Sequence, residues 1–121
     1  MSTAETLDLA RATAPHLLTE IPGPQARARI ERDRRVTSPS LPRAYELVPF
    51  RGAGSVIEDV DGNRFLDVNA GIAVASTGHA HPDVVAAITR QAEALLHYSA
   101  SDFYLPIYSD VCEHLDRIAP F

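Results

Sequence analysis

Residues 59–82, DVDGNRFLDVNAGIAVASTGHAHP, limit the possible folds more than any other stretch of the chain. In VIEDVDGNRFLDV an Asp61-Gly62 pair lies between two β-rich runs. Such a pair supplies the positive φ angles of a tight type I′ turn, so the run predicts a hairpin. Its strands are expected over residues 55–60 and 63–69, with Val56, Val60, Phe65, Leu66 and Val68 as apolar cover. The next run, GIAVASTGH, consists of small residues with two glycines, which lets backbone or a ligand approach closely. His81-Pro82 then marks a helix start.

A hairpin alone is marginal in water, so something must complete it. Residues 45–48 are a candidate third strand, and residues 50–54 read as a glycine-containing turn leading in. Upstream, residues 1–20 are weakly patterned and are expected to form a mobile arm, with two helical turns available over 5–12. Ile21-Pro22-Gly23-Pro24 is a breaker cluster, and Pro24 also suits the first position of a helix. Residues 25–35 then read as a short charged helix. Its arginines offer either a phosphate clamp or, more simply, a solvated face, with Arg27–Glu31 as a possible i,i+4 pair. Residues 36–49 hold three prolines and are expected to be extended.

Downstream, residues 82–96 make the clearest helix. Val84, Ile88, Gln91 and Leu95 share a face, and Asp83 suits the positive end of the dipole. A second helix is expected over 105–119, striped by Ile107, Val111, Leu115 and Ile118 and stopped by Pro120. The organisation is therefore an arm (1–20), a charged helix with an extended segment (21–49), and a hairpin plus two helices (50–121). The fold class is α/β, as an α+β arrangement of hairpin or meander with helices.

Several chemistries fail on spacing. Counting from Asp59, a calcium loop would want glycine sixth and an acid twelfth, where the chain has Arg64 and Ala70. His79 and His81 lack a third metal ligand nearby. Cys112 and His114, two apart on a helix, point away from each other. Cys112 is the only cysteine, which excludes an internal disulfide and fits a reducing compartment. The net charge of −5 argues against a nucleic-acid or anionic-membrane partner. No apolar run approaches the ~20 residues of a membrane span. Glu5 and Asp8 lie where a signal peptide would be basic and then apolar, so a cytoplasmic location is expected.

The run Ser99-Ala100-Ser101-Asp102-Phe103-Tyr104 links the two helices and mixes hydroxyls, a carboxylate and aromatic rings. It can line a pocket. It can equally start a helix, with Ser101 or Asp102 as the cap and the rings in the core.

Three ordered pieces carry a resemblance: D-V-D-G-N-R-F-L-D, then G-I-A-V-x-S-T-G-H-x-H-P, then L-H-Y-S-x-S-D-F-Y. Together they resemble the N-terminal part of the class III pyridoxal-phosphate aminotransferases, the group of the 4-aminobutyrate, ornithine and acetylornithine enzymes. A looser match, I-P-G-P-x-A-x-x-x-I-E-R-D followed by S-P-S, extends it back to Ile21. The resemblance implies the small-domain part of a fold-type I enzyme that moves an amino group from an amino acid to a 2-oxo acid and works as a homodimer. It also implies that the positions of Ile72, Ser101 and Tyr104 line the substrate pocket. An aliphatic Ile72 favours substrates like 4-aminobutyrate over ornithine.

The resemblance further implies a lysine for the cofactor aldehyde. All eleven basic residues here are arginine, so no side chain of this chain can hold that aldehyde covalently. The catalytic and cofactor-binding residues of the resembled enzymes lie beyond the region matched. The chain is expected to serve as part of a larger catalyst, as one half of a split enzyme, or as a non-catalytic interaction module.

Overall fold

The computed structural model describes residues 2–120, which fall into two compact units, one running to Val84 and the other beginning at Val85. The first is built on a three-stranded antiparallel meander, β1 (Pro49–Ala53), β2 (Val56–Asp59) and β3 (Arg64–Leu66), in that spatial order. Arg51 lies opposite Glu58, and Ile57 lies between Gly52 and Phe65. The register shifts between Pro49 and Arg51.

The third strand is therefore Pro49–Ala53, not residues 45–48, and it occupies most of the segment expected to be a turn. Proline and glycine are poor strand formers, but both tolerate an edge position. The two-residue loop Gly54-Ser55 joins β1 to β2, with Gly54 at φ +56°. Both hairpin strands are shorter than expected. Leu66 and Val68 face solvent rather than a core.

The β2–β3 turn also differs from the expected type I′. Gly62 N–H donates to Asp59 O at 3.2 Å, Asp59 N–H donates to Asn63 O at 2.9 Å, and only Gly62 of the turn has positive φ (+85°). The loop is thus three residues long, with glycine in the left-handed position. This frees the Asp61 side chain for another task. Its two oxygens accept from Gln25 N–H and Ala26 N–H, each at 2.9 Å, at the start of helix α2 (Pro24–Val36).

The helix has Gly23 as N-cap and no cap from its own sequence, so the hairpin tip supplies it. Gly23 is required for space. A Cβ there would lie 2.4 Å from Asp61 Cγ. Arg34 and Arg35 complement the C-terminal end of the dipole. Glu31 pairs with Arg35 at 3.4 Å, while Arg27 donates to Pro22 O.

Residues 2–20 are not a loose arm, and Met1 lies outside the described residues. Helix α1 (Thr3–Ala10) opens on a reciprocal capping box, with Ser2 Oγ accepting from Glu5 N–H and Glu5 Oε2 accepting from Ser2 N–H. The Ser2 amide and hydroxyl hold the Glu5 carboxyl below its ordinary pKa. Leu9 is buried against Ala53 and Val56, forming the apolar core of this unit. The chain then runs along the free edge of β3, where His16 and Arg64 exchange both backbone bonds at 2.9 and 2.8 Å.

Asn63, fully buried, ties these parts together. Its Oδ1 accepts from Leu18 N–H and Thr19 N–H at 2.7 and 2.9 Å. Its Nδ2 donates to Thr19 Oγ1 and Asp59 Oδ2 at 2.9 and 2.8 Å. Asp59 Oδ1 accepts from the amides of Asp61 and Asn63. Buried Glu58 is paired with Arg51 and Arg64 at 2.7 and 3.1 Å. Of the acids that invited a calcium reading, Asp59 and Asp61 are engaged at the hairpin tip by backbone amides and Asn63.

Helix α4 (Pro82–Ala94) carries the chain into the second unit, and α5 (Pro106–Ile118) completes it. Both match their expected spans closely, because proline starts and apolar periodicity are local signals. Neither helix buries a residue. Ile107, Val111, Leu115 and Ile118 remain about half exposed along one face of α5. Among the described residues no helix is long and apolar enough to cross a membrane.

Candidate substrate-facing site

In the first unit the site is built on residues 67–79. After β3 the chain enters a single left-handed helical turn, α3 (Ala70–Ala73). Gly71 and Ile72 have φ/ψ of 63/45° and 62/57°, and Ala70 and Ala73 have φ of 51° and 63°. Three of these four residues carry a Cβ. The left-handed region costs an L-residue about 1–2 kcal/mol, and a β-branched residue there is a genuine outlier. Ile72 holds this conformation with its side chain 84% exposed. No burial of its own side chain offsets the strain.

The turn is held from outside. Asp67 Oδ1 accepts from Asn69 N–H and Ala70 N–H, both at 2.9 Å, at the entry to the turn. Asp67 Oδ2 lies 2.6 Å from His79 Nε2, twelve residues on. His79 in turn exchanges both backbone bonds with Gly54 at 2.8 and 2.9 Å. The His79 hydrogen bond, followed by the Asn69 amide, pulls the Asp67 carboxyl below its ordinary pKa against a smaller opposing effect of desolvation.

Two glycines permit this approach. A Cβ on Gly52 would lie 2.9 Å from His79 Cγ, and one on Gly78, at φ +97°, would lie 3.2 Å from Gly54 Cα. The small-residue run therefore does bring backbone close to backbone. His79 serves as an anchor through its carboxylate partner, and Gly78-His79 forms a structural turn.

In the second unit, Ser101 and Tyr104 lie in the connection between α4 and α5. Ser99 Oγ donates to Asp102 Oδ2 at 2.6 Å and lies 3.0 Å from Ser101 Oγ. The amides of Asp102 and Phe103 donate back to Ser99 O. Tyr98 and Phe103 stack with ring centroids 4.6 Å apart at 52°. Neither Ser101 nor Asp102 caps α5. Its N-cap is Leu105 with Pro106 in the first turn. Tyr104 is fully exposed, so the reading of both rings as core does not hold. A groove of about 350 Å³ runs between Leu95, Tyr98 and Ile107.

The structure thus places Ile72 on a strained turn of one unit, and Ser101 and Tyr104 on the helix connection of the other. Sequence reasoning did not find the pairing of Asp67 with His79. Both residues stand inside the quoted motifs, but only the folded backbone brings them together. Among the described residues no group of three or more His, Cys, Asp or Glu side chains could hold a metal ion.

Comparison with known proteins locates this arrangement. Residues 40–121 match the family described as Aminotransferase class-III. An alanine/serine racemase of Pyrococcus horikoshii is 42% identical over 107 residues, covering 88% of this chain and 23% of the relative. A 4-aminobutyrate aminotransferase of Mycobacterium bovis is 36% identical over 104 residues, covering 86% and 23%. An acetylornithine aminotransferase of Methanosarcina acetivorans is 41% identical over 97 residues, covering 78% and 24%.

Among solved structures, the ornithine aminotransferase of Toxoplasma gondii aligns with a TM-score of 0.52 at 35% identity, over 56% of this chain and 16% of that one. The acetylornithine aminotransferase of Elizabethkingia anophelis aligns at 0.71 and 24% identity, over 79% and 23%, a likeness of fold alone. The chain spans about a quarter of the length of the curated relatives it matches.

Proposed function

Because the chain belongs to the class-III aminotransferases, we propose that it forms the substrate-side portion of a pyridoxal-phosphate enzyme moving an amino group from an amino acid to a 2-oxo acid. The donor is of the 4-aminobutyrate, acetylornithine or ornithine kind. The whole enzyme acts as a homodimer in the cytoplasm. The observation that carries this reading is the family match across residues 40–121, which takes in Ile72, Ser101 and Tyr104. Ile72 is taken as an aliphatic substrate-facing side chain. Tyr104 and Ser101 are taken as substrate-facing groups too, a ring face and a hydroxyl.

Pyridoxal phosphate, when bound, supplies the electron sink for this chemistry. The residues of this chain do not fit the role of its anchor. No lysine is present among all 121 residues to take up the aldehyde. The contribution assigned to this chain is to bind and orient substrate, while the anchoring amine comes from further polypeptide, either continuous with it or supplied as a separate chain.

A test follows directly. The 121-residue chain, supplied with pyridoxal phosphate, 4-aminobutyrate and a 2-oxo acid, is expected to show no turnover. Borohydride is expected to trap no cofactor on a side chain, with the α-amine scored separately. Activity is expected on adding polypeptide equivalent to the remaining length of a relative. Amino-group transfer by the 121 residues alone would contradict the proposal.

A second reading has one specific support, the 42% identity to an alanine/serine racemase. It predicts interconversion of L- and D-alanine in the reconstituted mixture without net transfer to the 2-oxo acid. A non-catalytic interaction module would show neither activity.

A further inference from the structure

The geometry points to Asp67 and His79 as positioning residues that clasp the two ends of the segment 67–79, which carries the α3 turn, and hold Ile72 in its left-handed, outward-facing conformation. The inference deepens the proposed function and rests on its reading of Ile72 as a substrate-facing side chain.

Three observations carry it. First, the strain is local and unexplained by packing. Ala70, Ile72 and Ala73 all have positive φ, and the side chain of Ile72 gains almost no burial there. A strained, exposed, β-branched residue persists only when its surroundings over-determine it. Second, one carboxylate addresses both ends of the segment. Asp67 Oδ1 takes the two amides where the turn begins, and Oδ2 takes His79 where the segment ends. Third, the far end is itself fixed to the sheet. His79 pairs with Gly54 through both backbone bonds, and Gly52 and Gly78 leave the space that this contact needs. The clasp therefore connects the rigid meander to the one turn that displays Ile72. Without it, the turn is free to relax toward right-handed φ, which would swing the Ile72 side chain away from its present direction.

The test compares the 121-residue chain with Asp67→Ala, Asp67→Asn and Ile72→Gly variants. The primary readout is a set of φ-sensitive NMR couplings at Ile72, read beside the amide shifts of β1–β3. In the parent chain Ile72 is expected to report positive φ. Asp67→Ala is expected to move it to negative φ while the sheet amides stay in place. Asp67→Asn keeps an acceptor for the Asn69 and Ala70 amides and is expected to fall between the two. An Ile72 that keeps positive φ in Asp67→Ala, or lacks it in the parent, would overturn the inference.

Should Asp67→Ala fail to fold, Ile72→Gly decides the matter. Relief of a held left-handed strain predicts an unfolding equilibrium shifted about three- to tenfold toward the folded state. No gain, or a loss, would overturn the clasp. In the reconstituted enzyme, Asp67→Asn is expected to raise KM for the amino donor several-fold with little change in kcat. If the φ change occurs and KM does not move, the clasp stands and the substrate-facing role of Ile72 falls.

Discussion

The two units of this chain hold themselves together by different means. Among its described residues the first has few buried apolar side chains, namely Leu9, Ala26, Ala53 and Val56. Its interior is organised around buried Asn63, Asp59 and Glu58, whose partners are all within the unit. The second has two well-formed helices and no buried residue in either. A satisfied polar network can specify one arrangement with little apolar burial. An amphipathic helix cannot, because most of its stability comes from the surface it covers. The contrast shows that clean helix periodicity is no measure of self-sufficiency. The unit with the poorer sequence pattern is the better anchored one.

This difference can be probed in order of expected effect. Asn63→Ala removes four hydrogen bonds, leaving the buried Asp59 carboxylate without its side-chain amide donor and the part-buried groups of residues 18 and 19 without their Asn63 partner. At about 1–3 kcal/mol per unsatisfied buried group, chemical denaturation followed through the sheet should show a loss large enough to unfold a marginal unit. Leu9→Ala should cost about 2–3 kcal/mol. Leu115→Ala, on a face already half exposed, should cost less than about 1 kcal/mol. Equal costs for these two would erase the contrast.

Asp61→Ala removes the cap that the hairpin tip lends to α2 and should cost about 1 kcal/mol, seen as fraying of the first helical turn by NMR. The pH response should also differ between the units. A carboxyl with a lowered folded-state pKa contributes stability above its unfolded value, and this is lost as pH falls through the folded value. Asp67 and Glu5 are both of this kind and both lie in the first unit. Acid below the ordinary carboxylate range should therefore weaken the first unit, and Asp67→Asn should flatten that limb of the titration.

What the sequence disclosed follows the same physical line. Helices α2, α4 and α5 were legible because proline starts and apolar spacing act within one or two turns. The hairpin was legible from Asp61-Gly62, although its turn type was not. The type I′ expectation assigned positive φ to Asp61, whereas that residue is engaged by the N-terminus of α2. The capping box Ser2-x-x-Glu5 was visible in the sequence, yet the anchoring of residues 1–20 depends on Leu9 meeting Ala53 and on His16 meeting Arg64, contacts no local pattern encodes. Strand β1 was hidden by its proline and glycine.

Of the site, Ile72, Ser101 and Tyr104 came from the resemblance to a family rather than from their spacing. The left-handed turn around Ile72 had only Gly71 to announce it. The Asp67–His79 contact needed the sheet to form first.

Residue-resolved hydrogen exchange on the isolated 121-residue chain tests most directly whether the two units differ in self-sufficiency. Slow exchange at the amides of Ile57, Asp59 and Arg64 is expected, together with near-unprotected exchange along α5 at Val111 and Leu115. Protection of α5 as strong as that of β2 would contradict the account.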